Sequence, residues 1–153
     1  LASDPPTDRR VLENAVDSSD TGEKSAIYAQ AIAPNAKVKT DWLAKIQQKN
    51  SDIGFSKLRT AMSALYPSEQ NSFSEENATQ VMLSLTTIDK TNGPVFMRSY
   101  NNLIPATCSE ISVARLATAV NELPLLSAGT KRSLLIKQQE DQRCLMIKSK
   151  MTL

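Results

Sequence analysis

Apolar residues recur along this chain at spacings of three and four, which is the period of an amphipathic helix. The clearest example is the run Phe55, Leu58, Met62 and Leu65. Alternation of β-branched and polar residues never lasts long enough to indicate a strand. The pattern therefore predicts an all-α protein.

Prolines divide these helical stretches, because a ring without an N–H stops a helix. They cut the chain into blocks of roughly 33 to 40 residues, the length of one helix pair in an α-solenoid. The sequence therefore predicts about eight helices in stacked antiparallel pairs, as in HEAT or armadillo (HEAT/ARM-like) proteins. No repeat is visible at the level of residues, so an up-and-down bundle stays open as the alternative. The dividing residues are Pro34, Pro67, Pro105 and Pro124.

The first two blocks are each predicted to hold a helix pair. In the first block, Thr7 and Ser25 are the expected N-caps of two short helices. In the second block, Thr40 is the expected N-cap of a helix that precedes the Phe55 stretch. The predicted apolar stripe of the first helix consists of Val11, Leu12, Ala15 and Val16.

The second half of the chain is predicted to begin with one longer helix, which carries the apolar residues from Phe73 to Ile88. The next helix is expected to start at Pro94, since proline suits a first helical position. Ser109 is the expected N-cap of the following helix, and the last helix is expected to run from about Ser127 to Lys150.

Charge and hydropathy narrow the function classes. Eighteen basic and sixteen acidic residues leave a net charge of +2, far short of the basic excess that nucleic-acid binding requires. No apolar run is long enough to span a membrane, so we expect a soluble protein with neither nucleic acid nor membrane as a partner.

The two cysteines, Cys108 and Cys144, show no spacing typical of a zinc or redox site. Free, buried thiols are the simpler prediction, and a disulfide bond stays open. Free thiols would favour a reducing compartment, so the expected location is cytoplasmic, with the periplasm as the alternative.

The sequence contains no histidine, which excludes most hydrolytic mechanisms and the usual zinc motifs from this chain. Glycine-rich nucleotide loops are absent as well. Carboxylates are adjacent at Glu75-Glu76 and Glu140-Asp141, but neighbours on a helix point about 100° apart and do not face one substrate. We therefore expect a non-catalytic domain that holds no metal or cofactor.

The polar run at residues 137–143 is either a solvated helix middle or a patch that faces a cavity or partner.

Three passages resemble the carboxyl-terminal helical domain of bacterial aminopeptidase N type zinc metallopeptidases. They occupy residues 58–70 (LRTAMSALYPSEQ), 96–116 (from FMRSY through LIPATCS to SVARL) and 132–144 (from RSLL to EDQRC). The likeness extends from about Asp4 to Met151 and rests on packing and turn sequences.

This resemblance implies that residues 1–153 form a single helical domain, the carboxyl-terminal part of a larger multidomain chain. The parent would be a zinc-dependent aminopeptidase, a peptide hydrolase with H-E-x-x-H, a further Glu and G-x-M-E-N. The zinc would belong to the parent's catalytic domain. The domain described here would cover the active site, contact that catalytic domain, and enclose the cavity that binds the peptide substrate.

The resemblance transfers no catalytic or metal-binding residue to this chain. Arg98 and Arg143 lie in the family-like passages, and we expect them to bind a substrate carboxylate or an interdomain acid. The alternative function is a free-standing helical-repeat module for protein–protein interaction.

Overall fold

The computed structural model describes residues 9–49, 51–122 and 125–151. Over these ranges the chain is all-α, which confirms the predicted fold class. The described ranges form eight α-helices: α1 (Arg9–Ile32), α2 (Ala36–Gln47), α3 (Phe55–Ala64), α4 (Asn71–Glu76), α5 (Ala78–Thr91), α6 (Pro94–Tyr100), α7 (Glu110–Glu122) and α8 (Ala128–Met151). Short 3-10 turns precede α4 at Ser68–Gln70 and follow α6 at Asn101–Leu103.

The first helix is continuous from Arg9 to Ile32, so the predicted pair of short helices in the first block is wrong. Ser25 lies inside α1, as does Gly22. A serine or glycine inside a helix lowers the stability of the helix by at most about 1 kcal/mol relative to alanine, and neither residue interrupts the helix as proline does. The predicted N-cap Thr7 lies outside the described residues, as does the burial of Val11, Leu12, Ala15 and Val16.

Two side chains from later elements bind the last carbonyls of α1. Lys39 Nζ donates to Ala31 O at 2.6 Å, and Gln70 Nε2 donates to Ile32 O at 2.9 Å. Lys39 is completely buried, and its ammonium lies 5.9 Å from the centre of the Phe73 ring. A cation is favourable at a helix carboxyl terminus, so Lys39 anchors the end of α1 to α2.

The second helix begins one turn earlier than predicted. Asn35, rather than Thr40, is its N-cap, because Asn35 Oδ1 accepts a hydrogen bond from Val38 N at 3.1 Å. Thr40 lies inside α2 and donates to the Ala36 carbonyl at 3.1 Å. Asn and Thr are both good N-caps, and Asn35 takes the position because it is the first capping residue after Pro34.

The long helix predicted after Pro67 is two helices, α4 and α5, which meet at Asn77. The backbone of Asn77 leaves helical geometry, with φ −97° and ψ 3°. Its Nδ2 donates to the Tyr66 hydroxyl at 2.7 Å, which links the bend to the end of α3.

The remaining predicted helix starts are confirmed. Pro94 occupies the first position of α6. Ser109 Oγ accepts from Ser112 N at 3.2 Å before α7, and Ser127 Oγ accepts from Thr130 N at 3.4 Å before α8.

One contiguous hydrophobic core joins α1–α3 with α5–α8. Trp42 and Tyr100 lie in this core. The main contacts place α1 on α3, α3 on α6, and α7 on α8. This order is compatible with the predicted stack of helix layers.

The two cysteines form a disulfide bond, so the prediction that both are free, buried thiols is wrong. Cys108 lies in the turn before α7, and Cys144 is an exposed residue of α8, with 5.5 Å between their Cα atoms. The sequence lacks a local signal for this pair because 36 residues separate them. Asp141 reinforces the link, since its Oδ1 accepts from Cys108 N at 2.7 Å and its Oδ2 accepts from Ser112 Oγ at 2.6 Å.

Candidate functional site

A cleft of about 400 Å³ lies where the end of α5, the start of α6 and the first turns of α8 meet. We call it the α5/α6/α8 cleft. Its volume lies in the range of small-molecule sites, roughly 300–1,000 Å³. The residues that give it chemical character are Asp89, Met97, Arg98, Asn101, Arg132 and Ile136.

The carboxylate of Asp89 holds the amino terminus of α8. Its Oδ2 accepts from Ser127 N at 2.6 Å, and its Oδ1 accepts from Ser127 Oγ at 2.7 Å and from Thr130 Oγ1 at 2.5 Å. Burial acts to raise the pKa of Asp89, but these hydrogen bonds to the charged form outweigh it and lower the pKa below 3.8. Asp89 is therefore a fixed anion at one wall of the cleft.

Asn101 is a buried polar residue in the same cleft, with 5% of its surface exposed. Its Nδ2 donates to Ser133 Oγ at 3.3 Å, while its buried Oδ1 has no hydrogen-bond partner among the described residues. A buried acceptor without a partner costs about 1–3 kcal/mol, and such groups are rare in folded proteins. The Oδ1 atom therefore lacks a partner within the fold and is itself shielded from solvent.

Two arginines complete the cleft. Arg98 comes from α6 and Arg132 from α8, and both are exposed. Within residues 20–49, 51–121 and 125–151, neither guanidinium has a hydrogen-bond or ion-pair partner. The cleft is thus lined by two exposed cations and by the buried carboxylate of Asp89.

The structure separates the two arginines that the sequence singles out. Arg98 lines the α5/α6/α8 cleft, whereas Arg143 is exposed further along α8 and is not among the cleft residues. Arg132 and Arg143 lie about 16 Å apart along the helix axis, at roughly 1.5 Å per residue. The cleft is also lined by Arg132, Asp89 and Asn101, which no motif in the sequence marks as site residues.

The polar run at residues 137–143 turns two of its side chains inward. Lys137 Nζ donates to Ile104 O at 2.9 Å, and Asp141 is the buried anchor of the Cys108 turn. Burial lowers the pKa of Lys137, against the opposing effect of Glu140 and Asp141. This part of α8 therefore packs through polar contacts, while Gln139, Glu140, Gln142 and Arg143 are exposed.

The outer face of α8 carries apolar side chains without cover. Their exposed fractions range from 45% for Leu135 to 81% for Met151. At about 100° per residue, these side chains share one sector of roughly 160° with three basic residues, and the exposed Gln139 and Glu140 lie in the same sector between its two apolar ends. We call this sector the α8 outer face; it comprises Arg132, Leu135, Ile136, Gln139, Glu140, Arg143, Met146, Ile147, Lys150 and Met151.

Glu75, one of the adjacent carboxylates, links α4 to α7 and to the turn before it. Glu75 binds Arg115 in a two-pronged ion pair and accepts from Thr107 Oγ1 at 2.5 Å. Burial acts to raise the pKa of Glu75, but the hydrogen bonds from Arg115 and Thr107 lower it overall.

In the part of the chain that the structure describes, no cluster of His, Cys, Asp and Glu could hold a metal ion. No helix of this part is long and apolar enough to cross a membrane.

Comparisons with protein-family models, with curated proteins and with solved structures find no match to this chain.

Proposed function

We propose that this chain is a non-catalytic, carboxyl-terminal domain of a zinc aminopeptidase, which covers the active site and encloses the peptide-binding cavity. The observation that carries the proposal is the α8 outer face, which presents five large apolar side chains to solvent. The resemblance at residues 58–70, 96–116 and 132–144 favours an aminopeptidase as the parent enzyme.

The occupant that we assign to the α8 outer face is the catalytic domain of the same chain. Several exposed apolar side chains on one helix face, with polar residues among them, are typical of an interface. The three basic residues outnumber the one acidic residue of this sector, Glu140, and favour an acidic patch on the opposing domain, since complementary charges fix the register of an interface. A surface of this mixed character resembles the contacts between domains of one chain.

Arg143 is the residue of this face that we assign to the peptide cavity or to an acidic group of the catalytic domain. It is exposed, and among the described residues its guanidinium has no partner. A free guanidinium can bind a carboxylate with two parallel hydrogen bonds, which gives both affinity and orientation.

We place the protein in an oxidising compartment such as the periplasm. The Cys108–Cys144 disulfide removes the reason for a cytoplasmic location, because disulfide bonds persist mainly in secreted and periplasmic proteins.

The reading frame that encodes this chain tests the identity. It should also encode H-E-x-x-H, a following Glu and G-x-M-E-N, and the whole product should release amino-terminal residues from peptides in a zinc-dependent assay. A complete reading frame without these motifs would leave the helical-repeat interaction module as the better proposal.

The interface can be tested separately in that whole product. Ile136→Gln with Ile147→Gln should loosen the contact between the domains, so that limited proteolysis cuts between them faster. Leu83→Gln is the matched control, because Leu83 is 75% exposed on α5, away from the α8 outer face. Equal proteolysis rates for both variants and the original protein would contradict the assigned interface.

The contribution of Arg143 needs a kinetic readout. In the whole enzyme, Arg143→Ala should raise KM for longer peptides and leave KM for dipeptide substrates unchanged. Unchanged kinetics across all peptide lengths would contradict its assignment.

A further inference from the structure

A second cleft, of about 440 Å³, lies where the end of α2, the start of α3, the end of α5 and the start of α6 meet. We call it the aromatic cleft, because the half-buried rings of Phe55 and Phe96 line it. Its volume lies in the range of small-molecule sites. None of the described residues that line it belongs to the α8 outer face, so its occupancy and the proposed domain contact are independent of each other.

Three aromatic rings pack in a row from the core to this cleft. The ring centres of Phe55 and Phe96 are 5.8 Å apart, and those of Phe96 and Tyr100 are 6.3 Å apart. Tyr100 is completely buried and its hydroxyl donates to Val81 O at 3.1 Å, so the inner end of the row is fixed. Phe55 and Phe96 keep part of their surface exposed. Aromatic rings attract one another at such separations, so the ring of a ligand in the cleft would extend the row.

Aliphatic side chains line the cleft as well. Ile46, Leu58 and Ile88 are buried members of the hydrophobic core, and they close the cleft on its inner side. Ile53 is half-buried and adds aliphatic surface that a ligand can contact. The cleft therefore offers a largely apolar environment to a ring.

Lys49 gives this cleft a positive charge. Among the described residues that line it, Lys49 is the only ionisable one. Its side chain is exposed, and within the described part of the chain its ammonium has no partner. Asp52, the acidic residue of the same loop, is exposed and is not among the lining residues. A cleft that is lined by charge of one sign attracts ligands of the opposite sign, so the aromatic cleft favours an anion.

We propose that the aromatic cleft binds a small aromatic acid, in which one ring is joined to a carboxylate by a short flexible chain. The ring packs on Phe55 and Phe96, and the carboxylate pairs with the ammonium of Lys49. A lysine suits this role because its flexible four-carbon stem lets the ammonium reach a carboxylate over a range of distances.

3-Phenylpropionate is the probe for the first experiment. Titration into the 153-residue chain, followed by amide NMR spectra, should give saturable binding with a Kd of about 5 mM or lower. The backbone amide signals of Lys49, Phe55 and Phe96 should be among those that shift. 3-Phenylpropanamide keeps the ring and lacks the charge, whereas hexanoate keeps the charge and lacks the ring. Each should bind about three-fold more weakly, or worse, since each loses one of the two contacts.

A surface variant tests the charge without disturbing the core. Lys49→Gln should weaken binding of 3-phenylpropionate about three-fold or more, with unchanged thermal unfolding, because the side chain is exposed. It should bind 3-phenylpropanamide as the original chain does. Lys90→Gln is the matched control, since Lys90 is an exposed lysine of α5 that does not line the cleft, and it should bind both compounds as the original chain does.

Four results would overturn the proposal. The first is no saturation by 3-phenylpropionate, and the second is saturation without shifts at Lys49, Phe55 and Phe96. The third is equal affinity for 3-phenylpropionate and its amide or hexanoate, and the fourth is equal binding by the Lys49→Gln and Lys90→Gln variants. None of these results bears on the proposed domain contact, because that contact is tested at Ile136 and Ile147 in the whole product.

Discussion

Single polar residues on apolar stripes mark the most informative positions of this chain. Lys39 lies one turn before Trp42 and Leu43, and Asn101 lies one turn after Met97. A helical pattern places both on the buried side, and the structure buries both. The sequence can therefore indicate that such a residue needs a partner. It cannot identify the partner, since Ala31 and Ser133 come from other helices.

Lys39 should make stability depend on pH in the alkaline range. Burial lowers its pKa below 10.5, so the folded state releases the proton at a lower pH than the unfolded chain. The unfolding free energy contributed by Lys39 therefore rises with pH between the lowered pKa and 10.5. The difference in unfolding free energy between the original chain and Lys39→Met should therefore rise with pH in urea unfolding measured from pH 7 to pH 10.

The control for that measurement is Lys37→Met, since Lys37 has 85% of its side chain exposed and forms only a surface pair with Asp41. It should keep the rise of the original chain. Parallel pH curves for Lys39→Met and the original chain would show that the buried ammonium does not titrate in this range.

Asp89 should make stability depend on pH in the acidic range. Its pKa is lowered, so its contribution is present above pH 3.8 and is lost as pH falls through the folded-state value. Asp89→Asn removes the charge from three hydrogen bonds and should cost about 1–3 kcal/mol at neutral pH. The difference from the original chain should shrink in urea unfolding as the pH falls below 3.8.

Asp52→Asn provides a control at an exposed aspartate. It should change the unfolding free energy little, because the side chain is exposed. If Asp89→Asn behaved in the same way, the hydrogen bonds from Ser127 and Thr130 would contribute nothing to holding α8.

At the scale of elements, a boundary set by proline was more predictable than one set by a choice among capping side chains. Proline suits the first position of a helix, so α6 starts at Pro94 as predicted. A start depends on which of several capping residues is used, and Asn35 takes that role instead of Thr40. The bend at Asn77 depends on a tertiary bond to Tyr66, which no local pattern shows.

The disulfide should stabilise the packing of α7 and α8. It closes a loop with a sequence separation of 36, for which loop entropy gives about 4 kcal/mol of stabilisation. A Cys108→Ala/Cys144→Ala variant should lose roughly this amount in urea unfolding. Reducing agent should destabilise the original chain by a similar amount and leave the variant unaffected. Equal sensitivity of both proteins to reducing agent would contradict this role.

At the scale of the molecule, the fold class was predictable and the cleft was not. The helical period and the proline positions are local properties, and they are enough to indicate an all-α chain. The α5/α6/α8 cleft joins residues from three helices, and its key pair, Arg98 and Arg132, lies far apart in sequence. Only Arg98 was selected from the sequence.

The continuous core predicts that the chain unfolds as one unit, as small single domains usually do. Trp42 is the only tryptophan and lies in α2, so its fluorescence reports on the first half of the chain. Leu134→Ala in α8 should cost about 2–5 kcal/mol and should lower the urea midpoint of Trp42 fluorescence as much as that of far-UV circular dichroism. Leu43→Ala, beside Trp42, is the matched variant and should shift both signals in the same way. A Trp42 midpoint unchanged by Leu134→Ala would show instead that the two halves unfold separately, as weakly coupled layers of a solenoid do.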